Sequence, residues 1–343
     1  MKRYLLPDLL KGFAVFLIIP VHIVETFIDH PGRESLFAKT LLLLGGPIAV
    51  PVFMIVMGYF VAASRKSTSQ IFFRGVKIFV LGLLLNIGLN FHLLLKIKYD
   101  GWQFDPLEYI VGVDIFYFAG LSIIFLSFLK HIKKGQEWVV FFLILLVSGL
   151  TSLMNNWLMV TERNYILPFI AGTYSWSYFP LFPWLSYVFA GFFFQKTEPR
   201  IMELAGNNKI ASFLGGALIF GLVAIFAKSG ISTTINLPDY YHHTFWFFLW
   251  AIGVVILWSL LVWFLSRKFS ASPMIVFLRW MGKNITAFYI IQWLIIGNIA
   301  TSIYQTQKLS VFGYWFGAIF LVTVSLTYLT ETLKSVLIKQ KVE

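Results

Sequence analysis

Pro7-Asp8-Leu-Leu-Lys11-Gly-Phe-Ala-Val-Phe-Leu-Ile-Ile-Pro20-Val-His22-Ile-Val-Glu25-Thr-Phe-Ile-Asp29 is the stretch on which the reading of the fold turns. It is long and apolar enough to cross a bilayer, yet it carries Asp8, Lys11, His22, Glu25 and Asp29. An α-helix turns ~100° per residue. With Asp8 at zero, Lys11, His22, Glu25 and Asp29 fall near ~300°, ~320°, ~260° and ~300°, an arc of about 100°. A charge placed in lipid costs at least about 2.5–3.5 kcal/mol on insertion scales, so such groups face protein, a partner or a water-filled cavity. The stripe reads as one wall of a functional site.

The whole chain of 343 residues is 59% hydrophobic and 12% charged, without cysteine. Soluble domains carry about 25% charged residues, so a soluble chain is excluded. The expected fold is all-α: a single polytopic transmembrane domain over 1–343 with about ten helices. Spans are expected near 8–28, 37–63, 72–95, 109–129, 138–159, 179–195, 210–227, 244–266, 275–303 and 311–336. The first is too long for a signal-peptide core and no small-residue cleavage site follows it, so no cleaved leader is expected. The absence of cysteine removes disulfides, thiolate metal sites and a cysteine nucleophile.

Basic residues orient the chain. Twenty of the 27 Lys and Arg fall on one side of these spans: Lys2, Arg3 and Lys11, then Arg65, Lys66, Arg74 and Lys77, then Lys130, Lys133 and Lys134. Lys196, Arg200, Lys209, Arg267, Lys268, Arg279, Lys283, Lys334, Lys339 and Lys341 complete that side; Arg33, Lys39, Lys96, Lys98, Arg163, Lys228 and Lys308 take the other. The positive-inside rule then places both termini in the cytoplasm, with an even number of helices. The net charge of +12 is a topology signal with an attraction for anionic lipid and acidic ligands; it calls for no nucleic acid. The expected location is a cell membrane, bacterial inner membrane in type, with multiple passes.

Within the first span, Lys11 and His22 share a face about three turns, or ~16 Å, apart. Lys11 lies toward the cytoplasmic mouth and His22 deeper, just past Pro20, which weakens the backbone bonding there. Histidine titrates near neutrality and suits general-base work, and Glu25 one turn on is placed to orient it. Plainer parts suit the rest: Asp8 with Lys11 as an i,i+3 pair, Asp29 as the end of the helix. For His22 the alternative is a histidine satisfied by a neighbouring helix.

Further groups follow along the chain. Arg74 and Lys77 in span three, and Arg279 and Lys283 at the start of span nine, are suited to phosphate, though singly they also serve as snorkelling topology signals. Asn86 and Asn90, then Asn284 and Gln292, are buried amides for which interhelical hydrogen bonding is the favoured account. Asp114 is charged and flanked by apolar residues in span four. Pro180-Leu-Phe-Pro183-Trp184 and Gly45-Gly-Pro47-Ile-Ala-Val-Pro51 are expected to bend or unwind their spans, with Trp184 an interfacial anchor or lining a site. The connection from Thr161 to Tyr178, rich in Tyr165, Phe169, Tyr174 and Trp176, is expected on the outer surface or dipping over a cavity. His242-His243 is a weak metal signal, and no metal is expected.

Asp8-Leu-Leu-Lys11-Gly12 through His22 resembles the opening helix of the transmembrane acyltransferase superfamily, with Lys11 in the place of an arginine and ten residues between it and the histidine. Pro51-Val-Phe-Met-Ile-Val-Met-Gly58-Tyr59 is similar to its second-helix element, and Arg74-Gly75-x-Lys77 with Leu81-Gly82 and Asn86 to its third. Leu181-Phe182-Pro183-Trp184 with Gly191 resembles an element of the heparan-α-glucosaminide N-acetyltransferase branch, and Leu278-Arg279-Trp280-Met-Gly282-Lys-Asn284 a late element. Two departures stand out: Lys11 lacks arginine's bidentate fork, and Gln292 stands where many members carry histidine.

The resemblance implies acetyl-CoA, or another acyl-CoA, as co-substrate at a basic cytoplasmic mouth formed by Lys11, Arg74, Lys77, Arg279 and Lys283. The acyl group would pass along a track touching Asn86, Asp114, Trp184, Asn284 and Gln292 to His22 with Glu25. A sugar or glycan hydroxyl or amine would accept it, with His22 as base or transient acyl carrier. A homodimer is left open. The rival reading is a proton-coupled transporter or flippase, since intramembrane Asp, His and Glu also build proton relays; the missing inverted repeat speaks against it. A scaffold subunit would leave the stripe unexplained.

Overall fold

The computed structural model describes residues 5–158 and 164–340, with side chains through residue 336. Lys2, Arg3, Thr161, Arg163 and Lys341, used above, and the side chain of Lys339 lie outside that description. The long helices are α1 (Leu5–Thr26), α2 (Leu36–Ala63), α3 (Thr68–Leu89), α4 (Ile115–Leu129), α5 (Gln136–Trp157) and α6 (Leu181–Asn207). They continue as α7 (Lys209–Ile225), α8 (Phe245–Lys268), α9 (Pro273–Lys283), α10 (Ile285–Ile303) and α11 (Phe312–Gln340). Among the described residues no β-strand forms, only isolated bridges at Ile28 with Gln307 and Val113 with Ser177. The protein is an all-helical, polytopic membrane protein: among the described residues seven helices are long and apolar enough to cross a bilayer, and eight if the α6–α7 pair, bent by 114°, is one span.

Three expectations about spans change. Span four shrinks to the 15 residues of α4. Pro106 begins a one-turn helix, and Val113 bonds across to the 174–179 loop, its N–H to the Trp176 carbonyl and its carbonyl to the N–H groups of Tyr178 and Phe179. Asp114 is therefore the extended residue ahead of α4 rather than a charge within a span. Span nine divides at Asn284 into α9 and α10. And α2 is one continuous helix through Pro47 and Pro51, so it does not unwind there; the Tyr240 hydroxyl donates to the Gly46 carbonyl beside Pro47, 2.8 Å. The break expected at the head of α6 is present, at the non-helical Phe182.

The chain divides into two compact units. The first takes Met1–Gly45, Ile87–Phe104 and Val262–Glu343. Its core packs Ile19 and Ile23 of α1 and Phe27 just after it against Ile296 and Ala300 of α10 and Phe312 and Ile319 of α11. Backbone nearly touches backbone where α1 crosses α9: a Cβ added to Gly12 would lie 1.8 Å from the Leu278 carbonyl oxygen, and one on Gly282 1.7 Å from that of Asp8. Small residues let membrane helices approach this closely. The chain after α10 returns to the end of α1, with Gln305 and Gln307 N–H groups donating to the Thr26 and Phe27 carbonyls.

The second unit takes Gly46–Asn86 and Asp105–Leu261. It repeats the device: a Cβ on Gly58 would meet the Val188 carbonyl oxygen at 1.9 Å, and one on Gly191 that of Ile55 at 1.9 Å. The four glycines that carry much of the family resemblance thus have a packing role.

Candidate active site

His22 stands on α1 one half-turn after Pro20, and it is 6% exposed. Its ring lies against Trp293 of α10, centroids 4.1 Å apart and planes 36° tilted, with Tyr289 edge-on at 6.2 Å. The His22 carbonyl accepts from the Thr26 hydroxyl at 2.6 Å, while ring atom Nδ1 is buried with no hydrogen-bond partner in the protein. An imidazole nitrogen left open in this way can accept a proton or donate one to a bound molecule. Three turns back, Lys11 Nζ pairs with Asp8 at 2.9 Å, the plainer account of those two residues. Asp29 likewise ends the run: its carboxylate caps the following turn through the Gly32 N–H, 2.9 Å. Glu25 follows His22 by one turn, and its carbonyl accepts from the Gln305 side chain at 3.2 Å.

The first unit also gathers Arg279, Lys283, Asn284 and Gln292. Arg279 follows Leu278, the residue in backbone contact with Gly12, so it belongs to the α1–α9 crossing, and its Nε is buried and unpartnered. Lys283 is exposed. Trp280 Nε1 and the Asn284 amide both donate to Glu331 of α11, at 2.6 and 3.3 Å. Gln292 is wholly buried, and neither its Oε1 nor its Nε2 has a partner in the protein. A buried polar atom costs about 1–3 kcal/mol when left unsatisfied.

The remaining predicted residues sit in the second unit. Arg74 and Lys77 are exposed on α3. Asn86 donates to the carbonyls of Ile110 and Gly112, at 3.2 and 2.8 Å, and so holds the segment ahead of α4. Trp184 is fully enclosed, its Nε1 donating to the Tyr241 carbonyl at 2.8 Å. Around it His243 uses both ring nitrogens: Nδ1 donates to the Tyr240 carbonyl, 2.8 Å, and Nε2 therefore accepts from the Tyr187 hydroxyl, 3.0 Å. Burial pushes the His243 pKa down to about 3, partly countered by the Tyr240 carbonyl, and burial takes His242 down to about 4. Among the described residues no three His, Asp or Glu side chains stand close enough to hold a metal ion.

The sequence singles out His22 and Gln292 because ionisable and amide groups stand out in an apolar run. It misses Trp293, whose ring His22 packs on, and Thr323 and Thr327 of α11, both wholly buried with unpartnered hydroxyls. The available signal is their i,i+4 spacing on one helix face. That spacing carries little weight alone, because buried threonines usually bond their own i−4 carbonyl, as Thr151 and Thr234 do here at 2.8 and 2.7 Å.

No curated protein and no solved structure matches the chain. A family model described as an acyltransferase domain, however, matches residues 5–331, a run that includes His22, the glycine crossings and the polar residues of α10 and α11. By that match, the chain belongs to this family of acyltransferase domains.

Proposed function

We propose that the protein moves an acetyl or other short acyl group from acyl-CoA, taken from the cytoplasmic side, to a hydroxyl or amine of a sugar or glycan at or across the membrane. The observation that carries this reading is His22: a buried imidazole with Nδ1 unpartnered, on the stripe that also bears Lys11, in a chain of the acyltransferase family. His22 takes the proton of the acceptor as its oxygen or nitrogen attacks the thioester carbonyl. The tetrahedral intermediate collapses, the C–S bond breaks, and the proton passes from His22 to the departing thiolate. The alternative is a transient acyl-imidazole on the same nitrogen. Lys11, Arg279 and Lys283 supply positive charge for the donor's phosphates, and the excess of basic residues on one side of the spans supports a cytoplasmic donor in a bacterial-type inner membrane. The Leu181–Trp184 element supports a place near the heparan-α-glucosaminide N-acetyltransferase branch, and hence the glycan acceptor.

The test is transfer from radiolabelled acetyl-CoA to a panel of amino sugars and glycans by purified protein. Wild type should label at least one acceptor, and His22→Ala should lose about 10²–10⁴-fold in kcat, the usual contribution of a general base. Undiminished transfer by the variant would remove His22 from the mechanism. Absence of acetyl-CoA binding, with proton-driven uptake into vesicles, would favour a transporter.

A further inference from the structure

α10 and α11 are consecutive helices packed on one another, and one hydrogen bond and one shared core agree with an antiparallel register. Asn284, just ahead of α10, donates to Glu331 of α11 at 3.3 Å. Near the other end, Ile296 and Ile319 share one core. Stepping one turn at a time between these points, forward on α10 and backward on α11, sets Phe288 opposite Thr327 and Gln292 opposite Thr323. All four are completely buried. Phe288, Gln292, Ile296 and Ala300 are the buried face of α10, so the Gln292 amide points into the bundle rather than toward lipid.

The polar atoms on this seam are unpartnered: the Gln292 Oε1 and Nε2 and the hydroxyls of Thr323 and Thr327. Trp293, the next residue, leaves its Nε1 unpartnered and carries the His22 ring on its face. From the Asn284 end inward, the order is Thr327, then Gln292 with Thr323, and His22 lies beside that second level, against Tyr289 and Trp293. One amide and two hydroxyls, with no charged side chain among them, do not suit phosphate. They suit a neutral chain that both donates and accepts hydrogen bonds.

We propose that Gln292 and Thr323 form a clasp for the amide-bearing arm of the thioester donor, holding it two turns in from Asn284 so that the acyl end lies beside His22. A secondary amide offers one N–H and one C=O, and the Gln292 carboxamide matches both, with the Thr323 hydroxyl free to serve either. The proposal rests on the acyl-CoA reading above.

The test needs no acceptor. Binding of CoA and of adenosine 3′,5′-bisphosphate, which lacks the arm, is measured by calorimetry on the full chain in detergent for wild type, Gln292→Met and Thr323→Val. Each variant should bind CoA about fivefold or more weakly, the scale of one lost hydrogen bond, and the bisphosphate unchanged. Neither should melt below wild type, since no internal hydrogen bond is removed. Equal CoA affinity in wild type and variants overturns the clasp and leaves the donor reading standing. Equal loss for both ligands, or a raised acceptor KM with CoA binding intact, also overturns it. If wild type binds neither ligand, the donor reading fails and the clasp with it.

Discussion

His243 and His22 are both buried, yet their ring nitrogens meet opposite surroundings. His243 is fully engaged, between the Tyr240 carbonyl and the Tyr187 hydroxyl; His22 keeps Nδ1 open. The first arrangement is what a structural histidine needs, and it carries a pH signature. The folded-state pKa of His243 lies near 3, against 6.5 in the unfolded chain. Between those values the unfolded chain binds the extra proton, so the contribution is intact above about pH 6.5 and is lost as pH falls toward 3. Thermal unfolding in detergent should therefore show wild type losing stability more steeply than His243→Asn as the pH is lowered through that window; parallel slopes would sink this account. At this scale the sequence made ionisable and amide groups visible and hydroxyls nearly invisible. His22 stood out because its cost in lipid is large, whereas nothing in Thr323 or Thr327 distinguishes them from threonines that bond their own helix.

The decisive contacts between elements are the paired glycines. Gly12 and Gly282 let α1 and α9 cross with carbonyl oxygens where side chains would be. The obstacle to a methyl group there is backbone, which cannot rotate aside, so Gly282→Ala should destabilise by about 3 kcal/mol or more, the upper end of overpacking penalties. Gly215 of α7 has nothing within 4 Å of its added Cβ. There, alanine should be neutral or gain up to about 1 kcal/mol of helix propensity. Melting temperatures of the two variants in the same detergent separate these outcomes, and equal effects would mean that the crossing is looser than described. Hydrophobic runs gave the helices away, but not the break at Asn284 or the shortening of α4. Those depend on tertiary bonds, Asn284 to Glu331 and Val113 to the 174–179 loop, and composition does not encode them.

For the molecule as a whole, the open quantity is the number of crossings. Apolar runs count about ten, whereas length and hydropathy in the structure support seven, or eight with the bent α6–α7 pair as one span. The disagreement centres on α6 and α7, which are 27 and 17 residues long and meet at 114° beside Lys209. Because 1.5 Å per residue gives a 17-residue helix about 25 Å of length, α7 falls slightly short of a ~30 Å hydrocarbon core. Yet its exposed Ile210, Phe213, Leu214, Leu218 and Phe220 have no protein face to cover them within their own helix, which is what lipid-facing residues look like. Three basic residues, Lys196, Arg200 and Lys209, precede or begin α7 and argue that the bend sits on the cytoplasmic side, making two crossings. The chain contains no cysteine, so single cysteines can be placed without background at the exposed Ile166, Lys209 and Lys228. With a membrane-impermeant thiol reagent on intact cells, Ile166→Cys and Lys228→Cys should both react and Lys209→Cys only after lysis. Reaction at Ile166→Cys with protection at Lys228→Cys would make α6 and α7 a single bent span. That outcome would reverse the side assigned to everything after α7, including Arg279 and Lys283, and so separate those charges from a cytoplasmic donor.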